Sequence, residues 1–96
     1  MARDYQYYKN LINGVDATFT EDLEYHEANW NRLDDFLRSE YLAVDLVDAW
    51  RYLGKLQDAE KAGELPDDFR DELRRVERLA QEAEPRIEKL KLSTEI

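Results

Sequence analysis

Apolar residues recur at alternating intervals of four and three positions through the last third of the chain, and this repeat constrains the fold most. Its members are Phe69, Leu73, Val76, Ala80, Ala83, Ile87 and Leu90. This spacing places one continuous apolar stripe on a helix, and a neighbouring helix has to cover that stripe. We therefore predict a helix over residues 66–92. Pro85 lies within it and removes one backbone hydrogen bond at a cost of about 3 kcal/mol, so we expect a kink or a restart there.

Two earlier segments repeat the same intervals and predict helices over residues 20–38 and 40–62. The first segment contributes Phe19, Leu23, His26, Trp30, Leu33 and Leu37. The second contributes Leu42, Leu46, Ala49, Leu53 and Leu56, with a second apolar row of Ala43, Val47 and Trp50 beside them. Two apolar rows give this helix a wide face, which predicts that it lies at the centre of the core.

The boundaries between these helices are marked unequally. The helical phase slips at residues 38–40, where Ser39 is a candidate N-cap. No Gly or Pro marks a break there, so a single helix over residues 20–61 is an open alternative. The next boundary is clear, because Gly63 suits the position just past a helix end and Pro66 suits the first turn of a helix. The last two helices are therefore expected to form an antiparallel, coiled-coil-like hairpin.

The N-terminal segment is compatible with two structures. Tyr5, Tyr8 and Ile12 recur at helical spacing and predict a short helix over residues 3–13, which Asn13-Gly14 ends with a left-handed cap. Asn-Gly followed by alternating apolar and polar residues is also a hairpin signal. In either case the chain is predicted to be all-α in its main part. We expect a small bundle of three main helices in one domain over residues 1–96.

The charge is strongly negative and concentrated in one region. The 96 residues carry 23 acidic and 14 basic side chains, for a net charge of −9, and residues 21–48 hold nine acids but only two bases. Such a field repels nucleic acid and anionic membranes and attracts a basic protein surface. The chain has no cysteine, no signal-peptide core and no stretch near the roughly 18 apolar residues of a membrane span. We expect a cytoplasmic protein without direct contact with nucleic acid or membrane.

The acidic side of the helix over residues 20–38 is the candidate interface. Its carboxylates lie opposite the apolar repeat, and exposed tyrosines suit an interface because they supply contact area and a hydrogen bond. The predicted interface residues are Glu21, Glu24, Tyr25, Glu27, Asn31, Asp34, Asp35, Tyr5 and Tyr7. This pattern predicts a non-enzymatic protein-binding module, an adaptor or an inhibitor. Carboxylates about 5.4 Å apart along a helix imitate a row of phosphates, so a narrower version is a nucleic-acid mimic that binds a nucleic-acid-binding protein.

The sequence offers little support for catalysis or for a cofactor. His26 is the only histidine and sits in the apolar repeat, which predicts a packed structural residue. The glycines are isolated, so no phosphate-binding loop is present, and the serines lack the motif of a hydrolase nucleophile. We assign no catalytic residue, no metal ligand and no cofactor.

One pattern supports an alternative. Glu21-x-x-Glu24 and Asp45-x-x-Asp48 each place two carboxylates on one helix face. This arrangement resembles the all-α MazG-like nucleotide pyrophosphohydrolases, in which Glu-x-x-Glu and Glu-x-x-Asp helices hold Mg²⁺ against phosphates. Asp45 stands where that family has glutamate. The resemblance implies a Mg²⁺-dependent enzyme with these four residues as ligands. A second alternative is a homodimer, or a larger homo-oligomer, in which the apolar seams pair between chains.

Overall fold

The computed structural model describes residues 2–95, and within that range the chain is helical with no β-strand, so the predicted all-α class is confirmed. In chain order the elements are α1 (Ala2–Phe19), α2 (Glu21–Asn29), a 3₁₀ turn (Trp30–Arg32), α3 (Asp35–Glu40), a π turn (Tyr41–Asp45), α4 (Leu46–Lys61) and α5 (Asp68–Glu95). The last residue of α3, the π turn and the first residue of α4 all have right-handed helical backbone angles, so α3 continues into α4 without a gap. The molecule measures 47 × 22 × 18 Å.

The N-terminal segment is a helix, as predicted over residues 3–13, but it is longer than expected and forms part of the core, so the predicted end at Asn13-Gly14 and the alternative hairpin are wrong. α1 runs through Asn13-Gly14, and Gly14 does not adopt the positive φ of a left-handed cap. A Cβ atom at Gly14 would lie 3.1 Å from the ring of Tyr52, so the glycine lets α1 approach α4 closely. The inward face of α1 consists of Tyr8, Leu11, Ile12, Val15 and Phe19.

The predicted helix over residues 20–38 is broken in the middle, and so is the alternative single helix over residues 20–61. α2 ends at Asn29, and the chain is extended at Leu33 and Asp34. The Asp34 side chain then accepts a hydrogen bond of 2.9 Å from the backbone N–H of Leu37 and caps α3. An N-cap aspartate satisfies an otherwise unpaired donor and fixes the start of the new helix.

The phase slip that the sequence shows at residues 38–40 is accommodated by the π turn rather than by a new N-cap. Ser39 lies inside α3 and is exposed. A π turn holds one more residue than an α-helical turn, so it rotates the helix before it relative to the helix after it. The rotation points Tyr41 into the core, where it is fully buried, and leaves Val44 on the surface.

The link between α4 and α5 follows the sequence signals closely. Gly63 has a φ of 74° and donates a hydrogen bond of 3.1 Å to the carbonyl of Glu60, while Glu64 donates one of 2.9 Å to the carbonyl of Ala59. These two bonds form a Schellman motif at the end of α4. Pro66 precedes α5 rather than lying within its first turn, because α5 begins at Asp68.

α5 continues through Pro85 to Glu95, so the expected restart does not occur. The proline ring leaves the carbonyl of Gln81, four residues earlier, without its backbone donor. Pro85 and Gln81 are both exposed, so water is available to that carbonyl. No helix within residues 2–95 is long and apolar enough to cross a membrane.

Polar contacts on the surface fix the directions of the long helices. Glu60 of α4 pairs with Arg74 of α5 at 2.5 Å, and Gln57 donates to Glu77 at 2.9 Å, so residue numbers fall along α4 as they rise along α5. Asp16 of α1 pairs with Arg75 at 3.0 Å. The apolar stripe of α5 is buried along its length, as the repeat predicted.

Candidate protein interface

The predicted interface residues between Glu21 and Asp35 are all exposed, but they do not lie on one helix. α2 carries Glu21, Glu24, Tyr25 and Glu27; Asn31 lies in the 3₁₀ turn; Asp34 and Asp35 lie at the start of α3. The expectation of a single acidic row along one continuous helix is therefore wrong, because the break at residues 30–34 interrupts it.

Two of these carboxylates have structural roles. Glu27 forms a two-point ion pair with Arg86 of α5, in which Arg86 Nε donates to Glu27 Oε2 at 2.9 Å and Arg86 Nη2 donates to Oε1. The hydrogen bonds from Arg86 hold the pKa of Glu27 below its usual value. Asp34 caps α3. Glu21, Glu24 and Asp35 are exposed, and no ion pair formed by the described side chains includes them.

Tyr5 and Tyr7 lie far from the acidic residues. Both are in the first turns of α1, where the Tyr5 ring packs against Phe69 at a centroid distance of 4.8 Å and the Tyr7 ring against Tyr8 at 5.1 Å. At 1.5 Å per residue, about 20 Å of α1 separates them from the start of α2. The fold does not combine the tyrosines and the acids in one surface.

The four carboxylates of the alternative metal site are not assembled either. Asp45 and Asp48 line a cavity of about 230 Å³ between α1 and α4, and the α2 carboxylate beside them is Asp22 instead of Glu21 or Glu24. Among the residues whose side chains are described, no three His, Cys, Asp or Glu side chains form a group able to hold a metal ion. The ligand set implied by the pyrophosphohydrolase resemblance is therefore not brought together.

His26 packs among aromatic rings, as its position in the apolar repeat predicted. Its ring stacks on the Tyr41 ring at a centroid distance of 3.8 Å and an angle of 15°. The rings of Tyr25 and Trp30 meet it edge-on, at 5.3 and 6.2 Å. The His26 Nδ1 atom lies 2.6 Å from the backbone carbonyl oxygen of Asp22. These contacts fix the ring between α2 and the π turn.

A small cavity opens beside this stack, and we call it the aromatic-acidic cavity. It has a volume of about 190 Å³ and is lined by Tyr25, His26, Leu33, Leu37, Glu40, Tyr41 and Asp45. Tyr41 donates its phenol hydrogen to the carbonyl oxygen of Thr18 at 3.0 Å. Burial is the main cause of a raised pKa at Asp45, and the carboxylates of Glu40, Asp22 and Asp48 add to it while His26 opposes it.

An apolar surface lies next to this cavity, and the sequence had assigned part of it to the core. We call it the outer face, and it consists of Phe36, Ala43, Val44 and Val47. Phe36 is 72% exposed, Val44 50% and Val47 46%, and nearby Trp50 is 38% exposed. The prediction that both apolar rows of residues 40–62 face the core is wrong for Ala43, Val47 and Trp50, which are all exposed. Only the row that contains Leu46, Ala49, Leu53 and Leu56 is buried.

The outer face contains a shallow depression of about 340 Å³ lined by Phe36, Ser39, Glu40, Ala43 and Val44. Glu40 therefore borders both this depression and the aromatic-acidic cavity. The second apolar row is the sequence signal for Ala43 and Val47 of the outer face, whereas Phe36 and Val44 lie outside it.

Comparison of the chain with protein-family models, with curated proteins and with solved structures finds no match.

Proposed function

We propose that this chain is a non-enzymatic protein-binding module, an adaptor or inhibitor, that docks its outer face on a basic surface of a partner protein. The observation that carries the proposal is the exposure of Phe36, 72%, beside Val44 and Val47 on the same helical run. Contiguous apolar side chains on the surface of a small domain mark interaction sites, and an aromatic anchor typically contributes a large share of binding energy.

The charges around the outer face support a basic partner. Asp34, Asp35 and Glu40 are exposed beside Phe36. Arg38 is the only base between residues 33 and 50, where there are five acids, and its Nε donates to the backbone oxygen of Trp30 at 2.9 Å. A partner that covers Phe36 and Val44 therefore meets a negative potential, which favours association with positive charge.

The same charges argue against a second copy of this chain as the occupant. Two chains of −9 each repel one another, and docking through the outer face would bring Glu40 and Asp35 of both copies together. We therefore propose a hetero-complex rather than a homodimer. A narrower proposal is nucleic-acid mimicry, in which Glu21 and Glu24 on α2 stand in for phosphates and the partner is a nucleic-acid-binding protein.

Quantitative capture from a native lysate with four baits tests the proposal. The baits are the unaltered chain, an outer-face variant with Phe36→Ser and Val44→Ser, an acidic variant with Glu21→Lys, Glu24→Lys and Asp35→Lys, and a control with Leu92→Ser. Leu92 is an apolar side chain on α5 that is 59% exposed, so its replacement matches the change at Phe36 in kind.

We expect the unaltered chain and the control to capture the same basic protein, and the outer-face variant to lose it. Loss with the acidic variant as well, together with release by added duplex DNA or RNA, supports mimicry. Capture that is equal for all four baits, or no capture by the unaltered chain, contradicts the proposed function.

A further inference from the structure

The aromatic-acidic cavity is not needed to explain the outer face, yet it adjoins that face through Glu40. Its volume of about 190 Å³ is below the roughly 300–1,000 Å³ of sites that hold whole small-molecule ligands. A cavity of this size accommodates a single side chain. The chemistry of its walls indicates which one.

The walls combine three kinds of group that together suit a long cationic side chain. Tyr25 supplies an aromatic ring, and a guanidinium or ammonium group is attracted to the face of such a ring within about 6 Å. Glu40 and Asp45 supply two carboxylates, which accept charge-assisted hydrogen bonds from such a group. Leu37 supplies apolar wall for the methylene groups that Lys and Arg bury along their length.

Neither carboxylate of the cavity is paired with a lysine or arginine among the side chains that the structure describes. No ion pair formed by the described side chains includes Glu40 or Asp45. Burial is the main cause of the raised pKa of Asp45, and the nearby carboxylates of Glu40, Asp22 and Asp48 raise it further while His26 opposes them. A cation that enters the cavity relieves this repulsion, whereas an apolar or anionic side chain does not.

We propose that the aromatic-acidic cavity binds one arginine or lysine side chain of the partner, with its charge between Glu40 and Asp45 and its methylene groups against Leu33 and Leu37. This inference rests on the proposed function, because it takes the side chain from the protein that covers the outer face. It adds a specificity rule: the partner presents an apolar residue to Phe36 and a basic residue to the cavity at adjacent positions.

Proton NMR titration of the whole chain tests the inference without the partner. His26 is the only histidine, so its ring signals are unique reporters on the cavity wall. The probes are N-acetyl-arginine methylamide, its lysine counterpart, and N-acetyl-norleucine methylamide, which has a similar apolar stem and no charge. The titration is repeated on a Glu40→Gln/Asp45→Asn variant and on a Glu21→Gln control, whose carboxylate lies outside the cavity.

We expect a saturable shift of the His26 ring signals with the arginine or the lysine probe and none with norleucine. The Glu40→Gln/Asp45→Asn variant should weaken this binding by about tenfold or more, because charge-assisted hydrogen bonds are lost, and the control should not. Dispersed amide signals show that each variant is folded. Equal shifts with norleucine, no saturable shift with either cation, or unchanged binding by the folded cavity variant would overturn the inference.

The outcomes separate this inference from the proposed function. If the cationic probes fail to bind while partner capture still requires Phe36, only the assignment of the cavity falls. If the probes bind but the outer-face variant captures the partner normally, the cavity binds cations and the docking face has been misassigned.

Discussion

Tyr41 donates a hydrogen bond of 3.0 Å from its phenol to the carbonyl oxygen of Thr18, which lies 23 positions earlier in the chain. This contact joins the π turn to the end of α1. Because Tyr41 is fully buried while Phe36 and Val44 are exposed, it also fixes which side of the α3–α4 run faces solvent. The outer face is thus a consequence of where Tyr41 is anchored.

Loss of this anchor should cost stability. Tyr41→Phe keeps the ring and removes the donor, so we expect the free energy of unfolding to fall by about 1–2 kcal/mol, since one buried hydrogen bond is lost and its acceptor is left in the core. Urea unfolding followed by circular dichroism measures the change. Tyr5→Phe is the matched control, because Tyr5 is 44% exposed, and it should change stability by less than about 0.5 kcal/mol. Equal effects of the two substitutions would show that the Thr18 contact is unimportant.

Two glycines, one inside α4 and one at its end, test the backbone conformation assigned to each position. Gly54 lies inside α4, and a Cβ atom there would meet nothing within 4 Å. Gly54→Ala should therefore stabilise the fold by about 0.5–1 kcal/mol, through helix propensity alone. Gly63 has a φ of 74°, so Gly63→Ala should destabilise it by about 1 kcal/mol. Thermal unfolding of the two variants should give shifts of opposite sign, and shifts of the same sign would contradict the assigned end of α4.

The Glu27–Arg86 ion pair should make a modest, pH-dependent contribution. The side chains are 33% and 40% exposed, so solvent screening limits the coupling to about 0.5–1 kcal/mol in a double-mutant cycle with Glu27→Gln and Arg86→Met. Arg86 lowers the pKa of folded Glu27 below its ordinary value of 4.5. The Glu27 carboxylate thus binds a proton less tightly in the folded state than in the unfolded state. The contribution of the ion pair to stability is therefore complete above pH 4.5 and is lost as pH falls through the folded pKa. Coupling that persists at pH 2 would contradict this assignment.

Asp45 should show the opposite behaviour. Its folded pKa lies above the ordinary value of 3.8, so above that folded pKa its charge destabilises the fold, and the penalty is relieved as pH falls toward 3.8. We expect Asp45→Asn to raise the Tm at pH 7 and to leave it unchanged below pH 3.8. Thermal unfolding across this pH range measures the difference. A residue that weakens the fold and strengthens cation binding is expected at a functional site, whereas a lower Tm for Asp45→Asn at pH 7 would contradict the account.

The sequence predicted the parts of the fold that depend on periodicity and on glycine at a helix end. The stripe from Phe69 to Leu90 and the cap at Gly63 both depend on local geometry, and both are present. The long α1 was missed because Asn13-Gly14 is a turn signal locally. The glycine suits that helical position because the Tyr52 ring approaches it closely, and this tertiary contact is not visible in the sequence.

The candidate site was harder to predict for related reasons. The apolar spacing of Trp30, Leu33 and Leu37 favoured an unbroken helix, so the acidic residues were placed on one face that does not exist. In the sequence, the π turn is marked only by a phase slip in the apolar spacing. The burial of Tyr41 determines that a π turn forms there, and burial depends on tertiary contacts. Ala43 and Val47 of the outer face were assigned to the core because an apolar row predicts burial, although the row does not show which neighbouring helix would cover it.

The affinity of the purified, captured partner tests directly whether the outer face is the docking surface. It is compared for the unaltered chain, the Phe36→Ser/Val44→Ser variant and the Leu92→Ser control. Calorimetric titration measures all three, and circular dichroism verifies that each chain is folded, as expected for substitutions of exposed side chains. We expect the outer-face variant to bind at least tenfold more weakly, because an aromatic anchor is lost, and the control to bind as the unaltered chain does. Equal affinity of all three chains would show that the outer face does not contact the partner.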